Sequence, residues 1–227
     1  MLPRDLTSHL VHEFAANGGL ANRFQGTCGS RQHQPLTWIS RLKIAREIAH
    51  AISYLHTVFS RPIIHRYIDM RNIFLDQHDV ANLSNFELSI SVPEGETHVQ
   101  VDILSWCVGF MSPEYFATGK VTEKVDVYSF GALLLGLLTG QNSNDFTQLN
   151  NGECVDFSKP KKECVGLVVC MQNGAQVRCI VDPTILAREG RASTIEQQLQ
   201  VVVDLAFTCR DSEIRATMVD VTKELVD

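Results

Sequence analysis

The side chains that could do chemistry are crowded into HRYIDMRNIFLD, from His65 to Asp76, and SNFELS, from Ser84 to Ser89. The first stretch offers an imidazole (His65), a guanidinium (Arg66), a phenol (Tyr67), a carboxylate (Asp69) and an amide (Asn72), and the second adds Asn85 and Glu87. A phenol has a reference pKa of about 10, so at neutral pH Tyr67 donates a proton and cannot stand in for an ionised general base. The amide of Asn85 is uncharged and by itself a weak ligand for a divalent ion. Cysteines at 28, 107, 154, 164, 170, 179 and 209 are scattered without a CxxC pair, which argues against a zinc site and suits a reducing compartment.

These residues need elements to position them. Trp38, Leu42, Ala45, Ile48, Ala49, Ile52 and Leu55 recur at three- and four-residue spacing, which predicts a core-facing helix over Trp38 to Leu55 capped by Thr37. After Pro62, the runs Ile73 to Leu75 and Val80 to Leu83 flank the polar turn Gln77, His78 and Asp79 and read as a small hairpin. Thr122 to Thr139 is apolar almost all round and closed by Gly140, the pattern of a central helix. Residues 141 to 180 read as loop with one short helix near Gly166 to Met171, and amphipathic helices follow over Thr194 to Arg210 and Thr217 to Val226. The expected architecture is mainly α with one hairpin, in a single domain over residues 1–227.

Composition excludes several function classes. The net charge is -6 and the charges are interspersed, with Lys159, Lys161 and Lys162 the densest basic cluster, so no nucleic-acid partner is expected. The longest apolar run, residues 133 to 138, is too short to span a bilayer, and the start carries neither an apolar leader nor a glycine after Met1. The chain is expected to be cytoplasmic, without direct membrane insertion, and to reach the plasma membrane only through partners.

In chain order these segments resemble the landmarks of protein kinases. HRYIDMRN is similar to the catalytic loop, Asn85, Phe86 and Glu87 to the magnesium loop, and Ser112, Pro113 and Glu114 to the Ala-Pro-Glu element. DVYSFG at 126 to 131 resembles the start of the central helix of the large lobe, and Arg215 stands where that family pairs an arginine with Glu114. The resemblance implies a protein-kinase-like C-terminal lobe, a helical lobe of an α+β family fold, over residues 21–227, with an activation segment at about 85–114. Residues 1–20 would be the last strand of the small lobe and the hinge. With no GxGxxG before a valine and no VAIK-like lysine, the remainder of that lobe is expected to be largely absent.

The resemblance also assigns roles. Tyr67 takes the place of the base. Asp69 replaces the phosphate-steadying lysine and reverses its charge. Asn85 replaces the magnesium aspartate, and Glu87 a flexible glycine. Asn72 alone keeps its type, either as the second metal ligand or to bond the loop backbone. No functional catalytic residue, no metal, and no ATP or magnesium binding are therefore expected. His65, Phe86 and Asp126 match a stack that ties the loops to the central helix, and Glu114 with Arg215 would form a buried bidentate pair. Arg66 could meet a phosphate added to the Ser89, Ser91, Thr97 and Ser105 segment.

SISVPEGETHVQVD at 89 to 102, GFMSPEYFATGKVTEKVDVYSFG, EQQLQ at 196 to 200 and LAFTC before Arg210 are very similar to plant receptor-like cytoplasmic pseudokinases of the ZRK group, with a wider likeness to wall-associated kinases. Trp106 and Cys107, where a Gly-Thr pair is common, and Ala216, where proline usually follows the arginine, depart from the pattern. In that family the proteins are non-catalytic adaptors or decoys that join intracellular leucine-rich-repeat immune receptors to pathogen effectors or to the kinases those effectors modify. The resemblance implies the same partners here. Two other function classes stand beside it: a truncated remnant of a receptor-like Ser/Thr kinase, signalled by poor solubility, and an ATP-binding kinase, signalled by a nucleotide-dependent thermal shift.

Overall fold

The computed structural model describes residues 15–25, 35–101, 111–141, 181–189 and 193–225. In chain order the helices are α1 (Leu20–Gln25), α2 (Trp38–Thr57), α3 (Pro113–Thr118), α4 (Glu123–Thr139), α5 (Pro183–Glu189), α6 (Ser193–Arg210) and α7 (Met218–Glu224). Among the described residues six short strands, β1 (Ile63–Ile64), β2 (Ile73–Leu75), β3 (Ala81–Leu83), β4 (Ile90–Ser91), β5 (Val99–Gln100) and β6 (Lys120–Val121), form three two-stranded antiparallel pairs, β1 with β4, β2 with β3 and β5 with β6. The described fold is mainly helical.

The centre is α4. Its leucines and Phe130 are buried on nearly every side, against Leu199, Val203, Ala206 and Cys209 of α6 and Ile48 and Ile52 of α2. A side chain at Gly131 would bring a Cβ within 2.8 Å of Cys209 Cβ and 2.9 Å of Ala206 O, so the crossing of α4 and α6 requires glycine there. Thr122 caps the start of α4 and Gly140, at φ 72, closes it.

Thr37 caps α2 by accepting the Ser40 N–H at 3.2 Å. The buried face of this helix differs from the periodic one: Arg41, Ile44 and His56 are buried, while Leu42 and Leu55 are only half-buried. Arg41 takes a core position because its charge is met on every side. It donates to Leu36 O and Leu137 O at 3.2 and 2.8 Å, pairs with Asp182, and lies over the ring of Phe24.

The hairpin pairs Ile73 with Leu83, Phe74 with Asn82 and Leu75 with Ala81. Asp76 holds its turn, accepting the His78 and Val80 N–H groups at 2.7 and 2.9 Å. Residues 17 to 19 run against β2, with the Asn17 N–H bonded to Leu75 O and the Leu75 N–H to Gly18 O at 3.1 and 2.9 Å. Of residues 1–20, read as the last strand of the small lobe and the hinge, 1–14 lie outside the described residues, as does the short helix near Gly166 to Met171. Helices α1, α3 and α5 were not expected from periodicity. Each has six or seven residues, too few for an apolar repeat to show.

Candidate functional site

The segment from His65 to Asn72 leaves β1, bends at Arg66 with φ 66, and ends in a 3-10 turn over Met70–Asn72. A positive φ is costly for arginine and persists where the surroundings over-determine it. Asp126, fully buried in the first turn of α4, supplies that determination. Its two oxygens accept the His65 and Arg66 N–H groups, each at 2.7 Å, and His56 Nε2 lies 2.9 Å from Oδ2. One carboxylate therefore binds the loop, the end of α2 and the central helix together.

His65 is fully buried, with Nε2 3.0 Å from Ser84 O and Nδ1 accepting the Tyr67 N–H at 3.2 Å. These partners select the neutral, Nε2-protonated ring. Burial pushes its pKa below the ordinary value, against the opposing pull of Asp126 and the Ser84 carbonyl. Phe86 stacks edge-on to this ring at 4.7 Å between centroids and keeps 48% of its surface exposed. His65, Phe86 and Asp126 are thus brought together.

Asp69 is fully buried and caps the 3-10 turn through the Arg71 N–H at 2.8 Å. The Arg71 side chain also closes on it, Nε to Oδ1 at 2.9 Å and Nη2 to Oδ2 at 2.7 Å. Its negative charge is therefore answered inside the chain and does not stand open toward a phosphate. Asn72 donates through Nδ2 to Tyr67 O at 2.9 Å and accepts from Asn85 Nδ2 at 3.3 Å. Tyr67 is half-buried, and Glu87 is exposed in the 3-10 turn Phe86–Leu88 that follows Asn85.

Arg66 donates through Nη1 to Leu88 O at 3.1 Å and through Nη2 to the Tyr115 hydroxyl at 2.7 Å. Both Nη atoms are thus engaged with neutral acceptors, while Nε is buried without a hydrogen-bond partner. Of the hydroxyls considered for modification, Ser89 donates to His65 O at 3.3 Å, Ser91 and Thr97 are exposed, and Ser105 lies outside the described residues.

Glu114 and Arg215 do pair, through Nη1 to Oε1 and Nη2 to Oε2, but the burial is one-sided. The Arg215 side chain is inaccessible, whereas that of Glu114 is 39% exposed. Partial burial opposes ionisation of Glu114, yet hydrogen bonding and charge from Arg215 outweigh it and hold the carboxyl below its usual range. Arg215 has further acceptors in Cys209 O and Arg210 O at 2.7 and 3.3 Å and lies over the Tyr128 ring.

Sequence reasoning passed over His56, Arg71, Tyr115 and the Arg41–Asp182 pair. His56 had a signal: Ile48, Ile52 and His56 recur every four residues, placing a titratable group on the apolar stripe. Among the described residues no group of three His, Cys, Asp or Glu could hold a metal ion, and no helix is long and apolar enough to cross a membrane.

Comparison with known proteins follows the same line. Residues 3–177 match the protein tyrosine and serine/threonine kinase family. Over 218 residues, 95% of this chain and 58% of the relative, the sequence is 34% identical to the non-functional pseudokinase ZRK2 of Arabidopsis thaliana. It is 46% identical over 132 residues to the non-functional pseudokinase ZED1 of the same plant, 58% of this chain and 38% of that one. A probable LRR receptor-like serine/threonine-protein kinase of Arabidopsis thaliana is 36% identical over 219 residues, 95% of this chain and 23% of that protein. The chain thus spans less than two thirds of the length of these relatives.

Proposed function

This chain belongs to the protein tyrosine and serine/threonine kinase family, and from that premise we propose that it is a pseudokinase of the ZRK type, which binds proteins and transfers no phosphate. It would act in the cytoplasm as an adaptor or decoy between an intracellular leucine-rich-repeat immune receptor and a kinase or pathogen effector. Recruitment to the plasma membrane would come from those partners.

What supports this reading is that the 65–72 and 85–88 loops are firmly held while the side chains they carry are ill suited to phosphoryl transfer. Asp126 holds the His65 and Arg66 N–H groups, His65 meets Phe86, and Arg215 meets Glu114. Phosphoryl transfer in protein kinases needs a carboxylate near the substrate hydroxyl, an aspartate beside an asparagine on magnesium and a cation on the phosphate. Here a phenol stands at 67, a carboxylate tied to Arg71 at 69, and neutral amides at 72 and 85. The Asn72 oxygen receives Asn85 Nδ2, so the pair offers no anionic ligand, and these residues do not fit a magnesium–nucleotide complex. The two relatives named as non-functional pseudokinases support the same reading.

The test joins three measurements on the purified chain: phosphate transfer to a generic acceptor, thermal shift with ATP and magnesium, and capture from plant cytosol beside an Asp126→Ala control. Capture of an immune receptor or its kinase by the intact chain alone, without transfer or nucleotide shift, is the expected result. Phosphate transfer, or a folded chain that captures neither, would overturn it.

A further inference from the structure

The carbonyl of Tyr67 can only accept a hydrogen bond, and the Asn72 amide approaches it at 2.9 Å with Nδ2. That contact decides the orientation of the amide, leaving Asn72 Oδ1 turned toward Asn85. Oδ1 again can only accept, so the Asn85 atom 3.3 Å away is Nδ2. Asn85 Oδ1 is then buried without a hydrogen-bond partner. Beside this amide pair, Ser84 donates to Asn72 O through both its N–H and its hydroxyl, at 2.8 and 2.9 Å. Asn85 itself adopts φ 62 and ψ 69, a left-handed conformation that asparagine and aspartate tolerate better than other side chains.

We propose that Asn85 is a metal-independent clasp, whose amide N–H binds Asn72 Oδ1 and holds the 85–88 turn against the 67–72 loop. An aspartate at 85 would have the same shape and backbone preference but no proton to donate. Its charge would face Asn72 Oδ1 on one side, and on the other the place of Asn85 Oδ1, where no donor waits. An ionised carboxylate there would leave the contact to Asn72 Oδ1 unmade. The amide closes the two loops by itself. The clasp is a property of hydrogen bonds within the chain and holds whichever partner the chain takes.

The test is melting of the wild type, Asn85→Asp, Asn72→Ala and the double variant in the presence of a chelator, with hydrogen exchange of the 85–88 amides. Asn85→Asp is expected to melt lower by about 2–4 °C and to speed exchange at 85–88. In the Asn72→Ala background, where the acceptor is gone, the same change is expected to cost less, because only the burial of a carboxylate oxygen at the place of Asn85 Oδ1 remains. The double variant reports this even if Asn85→Asp alone fails to fold. An Asn85→Asp protein that melts with the wild type, or that loses as much in both backgrounds, would overturn the clasp.

Discussion

Arg71 folds back two residues onto Asp69 and meets both of its carboxylate oxygens, at 2.9 and 2.7 Å, while its own N–H supplies a third contact at 2.8 Å. The two partners differ in burial. Asp69 is wholly inside, and the Arg71 side chain is 35% exposed.

That difference gives the pair a direction. Arg71→Ala would take two side-chain hydrogen bonds from a buried carboxylate and is expected to cost about 2–4 kcal/mol. Asp69→Asn removes the buried charge and leaves an arginine that water can reach, so about 1 kcal/mol is expected. Urea unfolding of the two variants measures both. Equal losses would show that Asp69 does not depend on the fork.

The Glu114–Arg215 pair is asymmetric in the same way. Glu114→Ala leaves Arg215 with the Cys209 and Arg210 carbonyls and the Tyr128 ring, and the carboxylate it removes is partly solvated. A loss of about 1–2 kcal/mol is expected, discounted for screening by water. Arg215→Ala removes all of these contacts at once and should cost about 3 kcal/mol or more. Guanidinium unfolding curves separate the two values.

Asp126 is the strongest single point of the frame. Asp126→Ala strips three hydrogen bonds from buried groups, two of them to the N–H groups that hold Arg66 at positive φ. A loss of about 3–5 kcal/mol is expected, with hydrogen exchange rising first at residues 65 to 67. His56→Ala removes one of the three contacts and should cost less.

Acid should destabilise the chain in two stages. His65 has a folded pKa below its ordinary 6.5 because burial opposes its charge, so the unfolded chain binds a proton that the folded chain resists. Its contribution is present above 6.5 and is lost as pH falls below it. Glu114 and Asp182 are burdened by partial burial but are held below their ordinary 4.5 and 3.8 by their arginine partners. Their contribution is present above those values and is lost as pH falls through the lowered ones. Melting temperature measured from about pH 7.5 downward should therefore decline first below about 6.5 and again below about 4.5, and Glu114→Gln should weaken the second decline.

Long elements were legible because each advertises itself over many residues. The helix bounds at Trp38, Thr139 and Arg210 follow from apolar periodicity and from caps such as Thr37, Thr122 and Gly140. The same pattern misassigned one face of α2, since Arg41 and His56 reach the interior through partners at Asp182 and Asp126, far along the chain. No local spacing encodes a partner 141 or 70 residues away.

By itself, then, the sequence determined the type and order of the chemical groups: a phenol at 67, a carboxylate at 69 and amides at 72 and 85 follow from residue identity alone. What those groups meet was decided only by the fold. Tertiary structure placed Arg71 on Asp69, left Glu114 half in water and set Asn85 Nδ2 against Asn72 Oδ1. The physical reason is that a hydrogen bond or an ion pair is settled by ångströms and angles, and by how much water each partner keeps. Those quantities exist only once α4 has brought Asp126 beneath the 65–72 loop.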